Sequence, residues 1–298
     1  MITCKYRLSR LPNLGKMVDM EKFKLKREAY PILEFDGVSP PIVDPKEYDA
    51  FVETRRGITR CLITYFTDVV ENMEREMKIN QVVRIRMEGY RPRLYHMKVQ
   101  KDGCVDDGCC VNETCECEMI YVLPIPIGAP QAARMLEVLS ARGVSKFMVC
   151  GGAGTLDDKK TGDLVLVPTS AVRDEGTSYH YLPPSREVEM AKTVQSAIIE
   201  TLRQEGVPYL PVKTWTTDAI FRETQDMVDL RKSEGCDVVE MECSAFLAVS
   251  QHLGLQTGQL LYAADYLSKD GWNYRDWHSR TDKRRQLVDL AVKCLMKL

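Results

Sequence analysis

VVEMEC, from Val238 to Cys243, joins a strand-like run, CDVV, to a helix-like one, CSAFLAVSQHLG. In an α/β protein, a strand that turns directly into a helix brings side chains and unpaired backbone N–H groups together at a pocket mouth. Two carboxylates, Glu240 and Glu242, stand at this junction around Met241. A little over 20 residues on, the apolar run QLLYAAD ends in Asp265, a third acid at a strand end. Three acids beside one cleft suit a site that holds a polyhydroxyl substrate and protonates something on it.

Outward from this junction, strand and helix signals alternate. Residues 1–50, rich in proline and charge, are expected to form an extended arm, and residues 51–298 a single α/β domain. RCLITYF reads as a strand, and TDVVENMEREM as a helix capped by Thr67 or Asp68. VVRIRM, RLYHMKVQ and EMIYVLPIP are further strands, and PQAARMLEVLSARG is an amphipathic helix leading to the apolar strand KFMVCGG. DLVLVP and SAVRD read as two strands, SREVEMAKTVQSAIIETLRQEG as one helix, and PVKTWTTD as a strand. ETQDMVDLRKSEG, QTGQLLYAAD and TDKRRQLVDLAVKCLMKL complete the order as helix, strand and helix. Such alternation without a linker implies an α/β fold with a central mixed sheet covered by helices on both faces.

The 298 residues are 44% hydrophobic and 28% charged, enough for a substantial core. A net charge of −2 supplies no broad basic field, so nucleic acid and anionic membranes are not expected partners, and a small molecule is. No apolar run approaches the roughly 20 residues that cross a bilayer, and a cytoplasmic location is the expectation. Most of the eleven cysteines are expected to be reduced. Five of them, Cys104, Cys109, Cys110, Cys115 and Cys117, crowd a hairpin insertion at 101–118. Their spacing is not that of paired zinc motifs and no histidine joins them, which favours a solvated thiol loop over a metal site or a disulfide.

Several segments, in order from Arg60 to Leu298, resemble the nucleoside phosphorylase superfamily, the group of uridine phosphorylase, hexameric purine nucleoside phosphorylase and methylthioadenosine/adenosylhomocysteine nucleosidase. PIGAPQAARMLEVLSARGVSKFMVCGGAG resembles its glycine-rich segment, helix and glycine-ended strand, and GDLVLVPTSAVRDEGTSYHYLP the strand pair and loop that follow. TTDAIF resembles its base-pocket strand end, and VVEMECSAF its ribose-binding signature. The resemblance implies a three-layer α/β/α sandwich that cleaves a nucleoside N-glycosidic bond. That chemistry builds positive charge on the ribose and negative charge on the departing base. By resemblance, Glu242 accepts the ribose 2′ and 3′ hydroxyls, Met241 packs under the sugar, and Glu240 ranks second as a ribose residue because it supports the loop. Asp265 protonates the base, which implies a purine preference, and Thr217, Asp218, Ile220 and Phe221 line the base pocket. Uridine phosphorylases carry a pyrimidine-reading glutamine and arginine where this chain has Thr224 and Asp226.

The phosphate site departs from the family pattern. Val69 stands where the N-terminal loop arginine belongs, and Val149 and Gly152 replace the arginine and hydroxyl residue of the glycine-ended strand. A buried dianion without cationic partners is costly. Either Gly151, Gly152 and Gly154 hold inorganic phosphate through backbone N–H groups, aided by Arg84, Arg86, Arg91 or Arg93 from a partner subunit, or water is the nucleophile. Phosphorolysis is the leading expectation, hydrolysis the first alternative, and a non-catalytic nucleoside-binding protein the second. No metal or organic cofactor is expected, and the resemblance implies a dimer or hexamer of identical chains. Arg173 and His180 either face the site or tie down their own loop, and Trp272, Tyr274 and Trp277 form either an aromatic lid or a subunit contact.

Overall fold

A computed structural model describes residues 24–45, 57–85, 90–100, 117–276 and 279–298. Arg86, Trp277 and four of the clustered cysteines (Cys104, Cys109, Cys110, Cys115) lie outside the described residues. Of the expected arm, residues 24–45 are mostly exposed, and their one short turn, Pro31–Leu33, lies beside Ser178–His180.

Among the described residues, eleven strands form one mixed sheet: β1 Arg60–Thr64, β2 Ile79–Arg84, β3 Arg93–Gln100, β4 Cys117–Pro124, β5 Lys146–Thr155, β6 Val165–Asp174, β7 Glu187–Glu189, β8 Tyr209–Thr217, β9 Val238–Glu240, β10 Gln256–Ser268 and β11 Gly271–Asn273. The α-helices described with them are α1 Thr67–Arg75, α2 Ala129–Ser140, α3 Asp158–Thr161, α4 Lys192–Gln204, α5 Gln225–Ser233, α6 Cys243–Leu253 and α7 Thr281–Lys297. Helices α2 and α6 pack together on one face, while α1, α4 and α7 pack on the other. The apolar run KFMVC shows why both faces are covered. Phe147 and Val149 enter the core beneath α2 and α6, whereas Met148 and Cys150 enter the core beneath α1, α4 and α7. A strand buried on both sides needs apolar residues at every position. Cys61, Cys150, Cys236, Cys243 and Cys294 are buried and form no disulfide.

Two features of the pairing position the site. First, β10 lies along β5 from Gln256↔Lys146 to Tyr266↔Thr155, and it also bridges β6 at Leu261↔Leu166. With β6–β8, β8–β9 and β9–β5 paired as well, five strands close into a ring. Second, the other side of β5 is shared by two strands. Parallel β1 ends at Thr64↔Cys150, and antiparallel β9 begins at Val239↔Gly154. Between them, at 151–153, no strand pairs with this side of β5, and the sheet splits.

Some expected elements differ in detail. SREVE is not helical: its buried Val188 and flanking glutamates alternate as strand β7 on β6, and the helix starts only at Lys192. DLVLVP and SAVRD are one strand, β6, with an irregularity at Thr169 rather than a break. Helix α1 has Phe66 at its N-cap and no side-chain cap. Asp68 instead accepts the Thr281 hydroxyl at 2.8 Å and pairs with Arg284 at 3.3 Å, joining α1 to α7.

Candidate active site

The β9–α6 junction holds two carboxylates in different situations. The side chain of Glu240 accepts the backbone N–H groups of Glu242 and Cys243 at 2.8 and 2.6 Å, and the hydroxyls of Thr216 and Thr214 at 2.6 and 3.3 Å. A carboxylate at a helix N-terminus satisfies donors that lack an intrahelical partner and complements the helix dipole. Both oxygens of Glu240 are therefore occupied within the protein, and its grouping with the ribose ligands gives way to the supporting role. Exchanging Glu240 for alanine is expected to cost about 2–3 kcal/mol of stability, because it strands two buried N–H groups. Urea denaturation measures this cost, and an unchanged midpoint would refute it.

Glu242 is equally buried but keeps capacity to spare. Its Oε1 accepts the Gly128 N–H at 2.5 Å from the turn between β4 and α2. Burial, reinforced by the charge of Glu240, raises its carboxyl to about 8 against the pull of Gly128 and Tyr65. Burial raises Glu240 as well, against the pull of its four donors, so the two buried carboxyls resist carrying a charge each. Met241, between them, is partly exposed.

Tyr65 follows β1 where the sheet splits. Its ring would meet any Cβ on Gly151 at 2.9 Å, and its hydroxyl is buried beside Glu242, raised by burial and by the charges of Glu242 and Glu240. At Gly152 the same space is taken by Ala264 at 2.8 Å and Tyr262 at 3.4 Å. At Gly154 it is bounded by Leu267 at 2.7 Å, Val239 at 3.0 Å and Asp265 Oδ1 at 3.5 Å. Strand β5 therefore needs glycine here for close approach. Across Gly154, β9 and β10 stand on opposite sides of β5, with Val239 and Asp265 both in register with it. Asp265 follows an irregularity at Ala264, and burial raises its carboxyl against the pull of a 2.6 Å bond from the Trp272 indole N–H.

The base-pocket candidates divide. Thr217 is buried at the end of β8, its hydroxyl accepting the Ala219 N–H at 3.2 Å. Asp218 accepts the Gly176 N–H at 2.9 Å and so braces the loop after β6. Ile220 and Phe221 are exposed, Phe221 at 95%, and are not core residues. Two residues after Phe221 comes Glu223, which sequence reasoning missed. Burial, with the charge of Asp265, raises Glu223 to about 7. Arg173 is buried and ties down its own loop through Ser178, Ser185 and the Pro183 and Leu182 carbonyls, while His180 is exposed. Of the arginines considered for phosphate, Arg84 and Arg93 lie on β2 and β3, beyond β1 and β4 from β5, and Arg93 pairs with Glu74 at 3.7 Å. Among the described residues, no group of three or more His, Cys, Asp or Glu could hold a metal ion, and no helix is long and apolar enough to cross a membrane.

Glu242 thus follows β9 and Asp265 lies on β10, with β5 between these strands, and residues 111–295 match the family described as the Phosphorylase superfamily. The chain belongs to that superfamily. It is 29% identical over 155 residues to a guanosine phosphorylase of Halorubrum lacusprofundi, covering 50% of this chain and 62% of that protein. The chain thus spans less than two thirds of the length of that relative. In fold it is similar to the purine nucleoside phosphorylase of Toxoplasma gondii, solved with immucillin-H, at a TM-score of 0.63 and 19% identity over 80% of this chain and 90% of that one. It is also similar to an AMP nucleosidase of Bacteroides thetaiotaomicron, at a TM-score of 0.59 and 18% identity over 80% and 87%.

Proposed function

We propose that the protein cleaves the N-glycosidic bond of a purine-type nucleoside, with phosphate as nucleophile, giving free base and ribose 1-phosphate. The observation that carries this reading is the convergence on the split sheet. Glu242 is held at the β1/β9 gap by Gly128, and Asp265 lies against Gly154 across the same strand. Glu242 accepts the ribose hydroxyls over Met241 and favours the cation developing at C1′. Asp265, raised by burial, supplies the proton that lets a purine leave. Thr217, Ile220 and Phe221 border the base, and peptide groups at 151–153 face the nucleophile.

A second reading, with water as nucleophile, is favoured by one observation. The side chains closest over Gly151, Gly152 and Gly154 are aromatic, aliphatic or, at Asp265, acidic, and none is a cation. Phosphate at this place draws its positive charge from a second copy of the chain, which makes an oligomer part of the first reading and not of the second. The test incubates purified protein with inosine, adenosine, uridine and methylthioadenosine, with and without phosphate, and identifies the sugar. Ribose 1-phosphate formed only with phosphate supports the first reading, and free ribose in phosphate-free buffer supports the second. Binding without turnover would overturn both.

A further inference from the structure

Strand β11 pairs back on β10 at Leu267↔Trp272 and Tyr266↔Asn273, which carries the Trp272 indole over Asp265. The Trp272 Nε1–H donates to Asp265 Oδ2 at 2.6 Å, yet Trp272 is 64% exposed, so core packing does not account for where the ring sits. The backbone beyond it is held in an unfavourable form: Arg275 and Asp276 are non-glycine residues with φ of 49° and 50°. Such conformations persist where surrounding contacts over-determine them, and they gather at functional sites. Here the Arg275 N–H donates to Asn273 Oδ1 at 3.0 Å, and the Arg275 guanidinium pairs with Asp158 at the start of α3. The hairpin is thus fastened at both ends, one of them the acid itself.

We propose that Trp272 is a positioning residue for Asp265, fixing the rotamer of its carboxyl and leaving Oδ1, the oxygen beside Gly154, to carry the proton delivered to the substrate. A carboxyl oxygen that accepts an N–H is disfavoured as the site of its own hydroxyl, so the proton resides on the other oxygen. When the C1′–N bond breaks, its electron pair passes to the base, and the proton on Oδ1 moves to the base nitrogen. The carboxylate left behind retains the Trp272 hydrogen bond, which strengthens as the charge forms. Two other titratable groups feel the charge of Asp265: Glu223, from the turn after β8, whose own proton that charge helps to hold, and the phenol of Tyr262, from β10 itself.

The role of the proton rests on the proposed function, but the Trp272–Asp265 coupling does not, and the experiment separates them. Trp272→Phe keeps an aromatic ring and removes the N–H. In ligand-free protein with carbon-13 at the aspartate carboxyls, the Asp265 resonance, assigned by its loss in Asp265→Asn, is titrated in wild type and variant. The midpoint is expected to rise by about one unit in the variant, since a neutral donor to a carboxylate has been lost. An unchanged or lower midpoint overturns the proposal, whether or not the protein turns over nucleosides. In turnover, Trp272→Phe is expected to slow cleavage of a purine nucleoside about tenfold or more, while a nitrophenyl riboside, whose leaving group needs no proton, is slowed less than about threefold. Equal losses on both substrates would show a merely structural tryptophan.

Discussion

Asp265→Asn is expected to lower kcat for a purine nucleoside by about 10²–10⁴-fold, the usual contribution of a positioned general acid, with little effect on binding. An amide can still accept the Trp272 N–H and fill the same volume, but it cannot release a proton to a departing base. The pH dependence should point the same way. Burial raises the Asp265 carboxyl, and only the protonated form serves, so activity is expected to fall as pH rises through that value. Glu223, raised to about 7 by burial together with the charge of Asp265, is the neighbouring carboxyl whose proton that charge helps to hold. Steady-state kinetics with a Kd for a non-cleavable nucleoside decide the matter. Turnover unchanged in Asp265→Asn would remove the residue from the mechanism.

Glu242→Gln should be the other large loss, and it should affect binding as well as rate. Replacing a carboxyl that accepts two ribose hydroxyls with an amide, whose nitrogen cannot accept a hydrogen bond, is expected to reduce kcat/KM by about 10²-fold or more. The same substitution should stabilise the protein at high pH. An unfolded glutamate ionises at about 4.3, whereas folded Glu242 holds its proton to about 8. Between those values the folded state binds the extra proton, so wild-type stability declines as pH rises from about 4 through 8. Glutamine has no such slope. Its Tm should exceed that of wild type above pH 8, with the gap closing towards about pH 4. A gap that stays constant with pH would show that the Glu242 carboxyl does not titrate as described.

How much of this could be read from the chain depends on how local each arrangement is. The β9–α6 junction is a contiguous pattern, and Glu242 falls where its segment suggests; Asp265, expected at a strand end, instead lies inside β10, which passes an irregularity at Ala264 and runs on to Ser268. The distinction between Glu240 and Glu242 was only partly visible. It depends on hydroxyls of Thr214 and Thr216 from β8 and on the Gly128 N–H from the β4–α2 turn, none adjacent in sequence. Tyr65 and Glu223 carried no signal because their surroundings come from other strands. For Tyr65, the absence of side chains on Gly151 is what lets the ring approach. The misread helix at SREVE has the same cause: Val188 is claimed by β6 before the helical pattern at Lys192 can extend backwards.

The interruption along β5 has a mechanical side. The part of the sheet outside the ring, β1 to β4, joins the five-stranded ring through the first half of β5, whereas beyond Cys150 the pairing stops on that side, beside Tyr65. On the proposed function, a nucleoside lodged in that parting would add polar contacts where backbone pairing is missing and clamp the two parts together. Occupancy and rigidity would then be one property of the molecule, gained and surrendered with each catalytic cycle.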